Sequence, residues 1–326
     1  MRTLITLFLL VALAAGGWWA WAVYAPVTPA GNQSVLLHSG YSTRRIAIEL
    51  KKAGVIRSVF AFRVWHIVHP NLSLKAGEYL FDHQANIRQV HDRIVRGDIY
   101  FHVVTIPEGY TMFDIAKAME DAGLGSASEF IKIAETRTDL ISDVAPEAKS
   151  LEGYLFPNTY QFTRTQTREE MIAAMVRQFR QVAQQIGLNS DVHKTVTMAS
   201  IVEKETASPD ERPMVAGVYY NRLAHRAALD ADPSVIYALL LAGNYSGSLH
   251  HADLAVDSPY NTYRFPGLPP GPIGNPGQSS LTAAMHPTNT EFFYFVSDGN
   301  GHHRFARDLT EHNRNVAAYR HTLGLH

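Results

Sequence analysis

The stretch MASIVEKETASPDERP, residues 198–213, decides the fold of the second half of the chain, because an apolar helical run ends there on two glutamates. Side chains two positions apart on an α-helix point about 200° away from each other, so Glu203 and Glu205 do not share a face. The residues three, four and seven positions before Glu205 are all large and apolar: Val202, Ile201 and Met198. The same count from Glu203 gives a smaller and more polar stripe. We therefore predict that Glu205 ends an apolar ridge, where burial raises the pKa of its carboxyl and suits it to general acid catalysis.

The helix is predicted to stop just after Glu205. Pro209 disfavours helical geometry at Ser208, and the segment 208–211 (SPDE) has the form of a capping box with proline at the first helical position. The alternative interpretation is a solvated helix end with a Glu/Lys pair, so the choice depends on the rest of the chain.

Composition limits the classes of protein that the chain can represent. Its 326 residues are enough for two domains, and a hydrophobic fraction of 46% with 18% charged residues describes a folded protein. The net charge of -1 gives no general attraction to nucleic acid. The chain has no cysteine, which excludes disulfides, thiolate catalysis and cysteine-ligated zinc.

The N-terminus predicts a membrane anchor. Residues 4–24 carry no charge, and this length crosses a bilayer at about 1.5 Å per residue. Arg2 precedes the run, and the next basic residue is Arg44, which predicts a cytoplasmic N-terminus and an exported remainder. A cleaved signal peptide with an A-x-A site at Ala20 and Ala22 is the alternative.

A repeat follows at a constant offset of 69 residues. GYSTRRIAIELKKAGV at 40–55 and GYTMFDIAKAMEDAGL at 109–124 each predict a short helix with a Ser/Thr cap, preceded by an extended segment and closed by a glycine. A strand around LKAGEYLF and a helix near residues 86–96 lie between them. The pattern resembles LysM-type cell-wall modules, and a generic β/α packing unit is the alternative.

The chain becomes aromatic and rich in turns after residue 150. A long helix is predicted near residues 167–186, and helices segregated from a few strands indicate the α+β class. The segment SPYNTYRFPGLPPGPIGNPGQSS, residues 258–280, displays aromatic rings and amides among rigid prolines. Such groups suit a carbohydrate, whose C–H faces stack on rings and whose hydroxyls need fixed partners. A surface loop folded over the core is the equally simple explanation.

Several motifs taken together resemble one family, the YceG-like endolytic murein transglycosylases. They are IPEGYT, LEGYLFPNTY, SIVEKETA, DPSVIY, YNTYRFPGLPPGPIGNPG, SLTAAMHP and YFVSDGNGHHRFARDLTEHNRNV, in this order from about residue 35 to near residue 322. The resemblance implies a membrane anchor, a LysM-like region and a mainly helical catalytic domain with lysozyme-like active-site geometry.

The resemblance also implies a catalytic acid and a reaction. The glutamate before threonine in E-x-E-T is Glu205 here. The family cleaves the bond between N-acetylmuramic acid and N-acetylglucosamine, and the 6-hydroxyl of the muramic acid attacks its own anomeric carbon to leave a 1,6-anhydro end. One carboxyl is then enough, whereas ordinary glycosidases need two. The chain departs from the family pattern at Asp230, where many members have glutamine, and we do not place Asp230 in the mechanism.

The predicted organisation has four parts. Residues 1–25 form the cytoplasmic N-terminus and anchor, 26–34 a tether, 35–149 a LysM-like peptidoglycan-binding region, and 150–326 the catalytic domain. Besides Glu205, we predict six substrate-binding residues: Glu152, Asn221, Asp232, Tyr260, Asn261 and Tyr263. No cofactor and no metal are expected. The expected partners are glycan strands, the inner membrane and, as candidates, peptidoglycan synthases, with the catalytic domain in the periplasm.

Three rival functions stay open at the level of sequence. A true muramidase would pair Glu205 with Asp230, Asp232 or Asp257. A metalloenzyme would use the sixteen histidines, but no H-x-x-x-H or H-E-x-x-H spacing is present. A wall-binding scaffold would show the same LysM-like half without catalysis. Serine nucleophiles of the S-x-x-K or G-x-S-x-G type are absent from the sequence.

Overall fold

The computed structural model describes residues 1–322 and 324, and helices outnumber strands within them. The α-helices are α1 (Arg2–Tyr24), α2 (Thr43–Lys52), α3 (Val59–Ile67), α4 (Ile87–Arg96), α5 (Met112–Asp121), α6 (Ala127–Thr136), α7 (Arg168–Ile186), α8 (Val192–Glu205), α9 (Arg212–Ala224), α10 (Asp232–Leu241), α11 (Gln278–Met285) and α12 (Leu309–Thr322). The strands are β1 (Gln33–Leu37), β2 (Gly77–Phe81), β3 (His102–Thr105), β4 (Thr159–Phe162), β5 (Tyr294–Ser297) and β6 (His303–Ala306). They pair as β1–β2, β3–β4 and β5–β6. The mixed fold and the single apolar N-terminal helix are confirmed.

The chain divides into two compact units. The first contains residues 1–103 and 161–167, and the second contains residues 104–160 and 168–326. In the first unit, β1 and β2 are antiparallel with Val35 opposite Tyr79. The side chains of Leu37, Leu50 and Phe62, with Tyr79, are fully buried around this pair. The core is therefore built from the sheet and the helices that follow each strand.

Helix α1 is long and apolar enough to cross a membrane, and most of its surface is exposed within the protein. Its last turn differs, because Ala22 and Val23 are buried in the core of the first unit. The last turn of the predicted anchor thus packs in that unit.

The repeat has the local structure that its sequence predicts. Ser42 and Thr111 accept hydrogen bonds from backbone N–H groups in the first turns of α2 and α5. Gly54 and Gly123 follow these helices with φ of 69° and 70°, a conformation that favours glycine. The cap at Thr111 is a reciprocal capping box with Asp114.

The division at Val103 differs from the predicted boundary at residue 149. The carboxylate of Glu152 accepts hydrogen bonds of 2.9 and 3.1 Å from the backbone N–H of Met112, at the start of α5. Asn275 Nδ2 donates to Glu152 Oε1 at 2.7 Å and to the carbonyl oxygen of Tyr110 at 2.9 Å. The second copy of the repeat therefore packs with the C-terminal half of the chain.

The predicted capping box at 208–211 is wrong. Helix α9 begins at Arg212 with Glu211 in the N-cap position and Pro213 in its first turn. Residues 208–211 instead form a turn in which the N–H of Glu211 donates to the carbonyl of Ser208. Proline supports a helix start at either position, and Pro213 is the one that the fold uses.

We predict that Asn275→Ala lowers the free energy of unfolding by about 3 kcal/mol, because it removes one of the buried donors to the Glu152 carboxylate and the acceptor of the Leu155 N–H. Chemical denaturation monitored by circular dichroism measures this change. The matched control is Asn289→Ala, an exposed position where a change below about 0.5 kcal/mol is expected. Equal effects at both positions would contradict this role of Asn275.

Candidate active site

Helix α8 is buried on all sides along most of its length. Its residues from Val192 to Val202 are all buried except Lys194, including the small stripe that sequence reasoning expected to be more polar. The apolar ridge before Glu205 is therefore present, but burial of the preceding residues does not distinguish Glu205 from Glu203. Burial acts on both carboxyls at the end of this helix, and their partners make the difference.

Glu203 is an internal ion-pair residue. Its Oε1 accepts a hydrogen bond of 2.8 Å from Arg212 Nη2, and both side chains are about nineteen-twentieths buried. Its Oε2 accepts a hydrogen bond of 2.9 Å from the backbone N–H of Gly277. Burial raises the pKa of Glu203, while these partners oppose the rise. The carboxylate ties α8 to α9 and to the start of α11.

Glu205 points to a different part of the second unit, as the helical geometry predicted. Its Oε1 accepts a hydrogen bond of 2.7 Å from the hydroxyl of Tyr219, which is itself buried on α9. Burial raises the pKa of Glu205 to about 7, and the Asp232 carboxylate adds to the rise. The hydrogen bond from Tyr219 and the charge of Arg222 act in the opposite direction. The carboxyl can therefore be protonated near neutral pH.

A cleft of about 400 Å³ opens in front of Glu205 within the second unit. Five elements and three loops contribute to its walls: Glu205, Tyr219, Arg222, Leu229, Asp230, Asp232, Tyr263, Phe293, Tyr294, Phe295, Leu309 and His312. One wall is aromatic. The ring of Tyr294 stacks on His312 with centroids 5.1 Å apart, and Phe295 meets Tyr219 edge to face at 5.7 Å. The cleft thus combines one protonatable carboxyl with flat apolar surfaces.

Arg222 organises the far side of the cleft. Its Nε donates to the carbonyl of Phe293, and its Nη1 donates to the carbonyls of Ala228 and Leu229 and to Asp230 Oδ2 at 2.9 Å. The backbone of Asp230 has a φ of 52°, which is uncommon outside glycine. The ion pair between Arg222 and the Asp230 carboxylate holds the loop between α9 and α10.

Asp232 and Tyr263 form a second polar pair in the cleft. The Tyr263 hydroxyl donates to Asp232 Oδ1 at 2.6 Å, which requires an acceptor oxygen on the carboxyl. Burial and the hydrogen bond to Asp232 raise the pKa of Tyr263, so its hydroxyl stays a donor. Of the six predicted substrate-binding residues, the structure brings these two together with Glu205.

The other four predicted residues are placed elsewhere. Asn261 is fully buried, and its Nδ2 donates to the carbonyls of Leu254 and Val256. Asn221 Nδ2 donates to two backbone carbonyls just before β5, and Glu152 is the buried cap of α5. Tyr260 packs against Tyr237 with ring centroids 5.1 Å apart. These residues shape the loops of the second unit, and none lies among the residues that line the cleft.

Sequence reasoning missed Tyr219, Arg222 and the aromatic residues around β5. Tyr219 and Arg222 are three residues apart on α9 and therefore share one of its faces. The spacing of these two residues, on the helix that follows Glu205 in the sequence, was the signal that could have indicated their place in the site. The aromatic segment before Ser297 forms β5, and nothing in a single sequence indicates which element that strand faces.

The adjacent histidines at 302 and 303 also have a structural partner. His302 Nδ1 lies 3.2 Å from Glu211 Oε1, and His303 Nδ1 lies 2.7 Å from Glu211 Oε2. His302 precedes β6, and both rings turn toward one carboxylate. They tie the β5–β6 hairpin to the start of α9.

Comparisons with known proteins show the family of the chain. Residues 35–318 match the model of the YceG-like family, so the chain belongs to that family. It is 34% identical over 306 residues to an endolytic murein transglycosylase from Bacillus subtilis (strain 168), which covers 88% of this chain and 84% of the relative. A relative of the same name from Streptococcus pneumoniae serotype 2 (strain D39 / NCTC 7466) is 30% identical over 96% of this chain and 64% of its own length.

A solved structure is also similar. The crystal structure of a YceG-like protein from Listeria monocytogenes superposes with a TM-score of 0.57 at 33% sequence identity. The match covers 87% of this chain and 98% of that one.

We predict that Glu205→Gln makes the protein more stable than the wild type at pH 8. The folded-state pKa of about 7 lies above the ordinary value of 4.5, so the wild type loses stability as pH rises from 4.5 through 7, and glutamine avoids this loss. The gain in unfolding free energy at pH 8 is at most about 3 kcal/mol, and partial exposure of the carboxyl makes it smaller. Thermal unfolding measured at pH 4 and pH 8 tests the difference.

Glu147→Gln is the control for this substitution, since Glu147 is an exposed glutamate. Its melting temperature should follow the wild type at both pH values. A Glu205→Gln variant that gains nothing at pH 8 relative to pH 4 would contradict a buried, proton-holding Glu205.

Proposed function

We propose that the protein is an endolytic lytic transglycosylase that cleaves peptidoglycan glycan strands. The observation that carries the proposal is the position of Glu205, a partly buried carboxyl with a raised pKa that lines the cleft and occupies the glutamate of E-x-E-T. Relatives named endolytic murein transglycosylase, similar over most of the chain, support the same activity.

Glu205 acts first as an acid and then as a base. With Oε1 held by Tyr219, we assign proton transfer to Oε2. The carboxyl protonates the glycosidic oxygen as the bond from the anomeric carbon of N-acetylmuramic acid breaks. The same carboxylate then takes the proton of the 6-hydroxyl as that oxygen bonds to the anomeric carbon. The products are a free 4-hydroxyl on N-acetylglucosamine and a 1,6-anhydro end, and the acid is regenerated.

The substrate supplies its own nucleophile, and the cleft supplies charge and shape. An intramolecular hydroxyl reacts at a high effective concentration, so no second carboxyl is needed to activate water. Asp232, held as an acceptor by Tyr263, places negative charge in the cleft where positive charge develops on the sugar ring. The rings of Tyr294 and Phe295 offer flat faces for sugar C–H groups.

The N-terminal half is proposed to hold the enzyme at its substrate. Helix α1 serves as a single-pass anchor in the inner membrane, with Arg2 keeping the N-terminus cytoplasmic and the rest in the periplasm. The antiparallel pair β1–β2 with α2 and α3 between its strands supports a LysM-like, glycan-binding role for the first unit. We place the enzyme on nascent strands, where it limits their length, with peptidoglycan synthases as candidate partners.

One observation favours a second candidate, a true muramidase. Asp232 lies in the same cleft as Glu205 and raises its pKa, as a second catalytic carboxylate would. Hydrolysis would leave a reducing end, whereas the proposed reaction leaves an anhydro end. The nature of the product ends therefore decides between the two functions.

Glu205→Gln is expected to lower glycan cleavage by at least about a thousandfold while the protein stays folded, because glutamine has the size of glutamate and no proton to donate. Digestion of purified sacculi, followed by mass spectrometry of the released fragments, measures the rate and identifies the ends. Glu147→Gln should cut at the wild-type rate. Reducing ends from the wild type would assign the muramidase, and undiminished cutting by Glu205→Gln would remove Glu205 from the mechanism.

Two substitutions are expected to move the pH profile in opposite directions. Tyr219→Phe removes a hydrogen bond that stabilises the Glu205 carboxylate, so its pKa and the falling limb of kcat/KM near pH 7 should rise. Asp232→Asn removes a neighbouring negative charge, so the pKa of Glu205 and the falling limb should move to lower pH. We expect each substitution to shift the limb by about one pH unit.

The control for this pair is Tyr220→Phe, a neighbouring tyrosine whose hydroxyl donates to the carbonyl of Ala284. The falling limb of its kcat/KM profile should lie at the same pH as in the wild type. If Tyr219→Phe and Asp232→Asn lower the rate equally at every pH without moving the limb, Glu205 is not the titrating acid.

A further inference from the structure

The corner between α2 and α3 carries an exposed aromatic ring beside the end of the apolar helix α1. Phe60, in the first turn of α3, is 61% exposed. Its ring centroid lies 6.4 Å from that of Trp18 on α1, and Trp18 is 46% exposed. The two rings therefore form one exposed aromatic surface that belongs partly to the anchor and partly to the first unit.

The position of Trp18 along α1 sets the depth of Phe60. A hydrocarbon layer of about 30 Å takes about 20 helical residues. A span that starts at Leu4 therefore ends near Val23, and Trp18 lies about 7 Å below that end. Phe60, which touches Trp18, is at the depth of the outer lipid leaflet whenever α1 spans the bilayer.

The link between the corner and α1 is fixed by several contacts. The Arg57 guanidinium lies over the Trp21 ring at 4.9 Å and donates to the carbonyls of Ala25 and Pro26 at 2.6 and 2.8 Å. Lys51 Nζ in turn donates to the carbonyl of Arg57. Because these bonds join α1 to the α2–α3 corner, the corner cannot move away from the membrane while α1 stays in it.

The charge of the corner suits anionic lipid. Residues 50–77 contain Lys51, Lys52, Arg57, Arg63 and Lys75 and no aspartate or glutamate. The nearest acid, Glu49, is already paired with Arg45 at 2.8 Å and lies 3.7 Å from Lys52. Basic residues around an apolar anchor are typical of interfacial membrane contacts, because their charges are attracted to an anionic lipid surface.

We propose that the α2–α3 corner, residues 51–63, is a second membrane contact. Phe60 inserts into the outer leaflet beside Trp18, and Lys51, Lys52 and Arg63 face anionic phospholipid headgroups. The contact fixes the tilt of the first unit against the bilayer, where a single helix alone would leave it free to rotate. This inference rests on the proposed anchor role of α1.

The chain has no cysteine, so single cysteine variants can carry a nitroxide spin label without background. The full-length protein is reconstituted in nanodiscs of phosphatidylcholine with phosphatidylglycerol. Electron paramagnetic resonance then compares collision of the label with oxygen, which is enriched in lipid, and with a water-soluble nickel chelate. The variants are Phe60→Cys and, as the matched controls, Arg44→Cys at the other end of α2 and Leu10→Cys in α1.

We expect the label at residue 60 to collide more with oxygen than with nickel, the label at residue 44 to show the reverse, and the label at residue 10 to be lipid-like. A label at residue 60 that is as accessible to nickel as that at residue 44, with residue 10 still lipid-like, overturns the contact and leaves the anchor intact. Shielding of residue 60 from both reagents would mean that a second copy of the chain covers it, and overturns the lipid assignment. Nickel access at residue 10 overturns the anchor itself, and the contact with it.

Discussion

The burial of α8 on every side is the constraint on which the site depends. A helix enclosed by apolar neighbours must end somewhere, and here its last turn carries two carboxyls into surroundings that disfavour charge. The fold neutralises one of them, Glu203, with a buried arginine and a backbone N–H. The other, Glu205, accepts a hydrogen bond from the neutral hydroxyl of Tyr219 and lies at a cleft, where burial raises its pKa. The two glutamates thus differ in their partners, and only Glu205 lines the cleft.

The cleft keeps its shape because polar groups behind it are satisfied. Arg222 joins the loop before α10 to the segment leading into β5 through hydrogen bonds to four oxygen atoms. Asp230 supplies one of these oxygens, so its carboxylate is held in an ion pair at the wall of the cleft. Fixed donors and acceptors of this kind need little reorganisation when charge develops on a substrate.

Much of the fold could be predicted from local signals. Capped, amphipathic helices such as α2 and α5 carry their start and stop residues in the sequence. Helix α10 was missed because DPSVIYALLL is apolar on all sides and shows no period. In the site, helical geometry and the family motif both selected Glu205. Most of the residues chosen for their sugar-binding chemistry, such as Asn261 and Tyr260, proved to hold loops together, because an amide or a phenol serves a buried carbonyl as well as a hydroxyl of a ligand. Which of these roles a residue has depends on tertiary contacts that a single sequence does not contain.

The central claim is that Glu205 holds its proton near neutral pH, and its ionisation can be observed directly. Carbon-13 NMR of the glutamate side-chain carboxyls, titrated from pH 4 to pH 9, reports each group, and the signal missing from Glu205→Gln assigns the one of interest. The structure predicts an apparent pKa of about 7 for that signal. A midpoint near the ordinary 4.5 would show a solvated carboxylate that is ionised at neutral pH, and would contradict Glu205 as the acid.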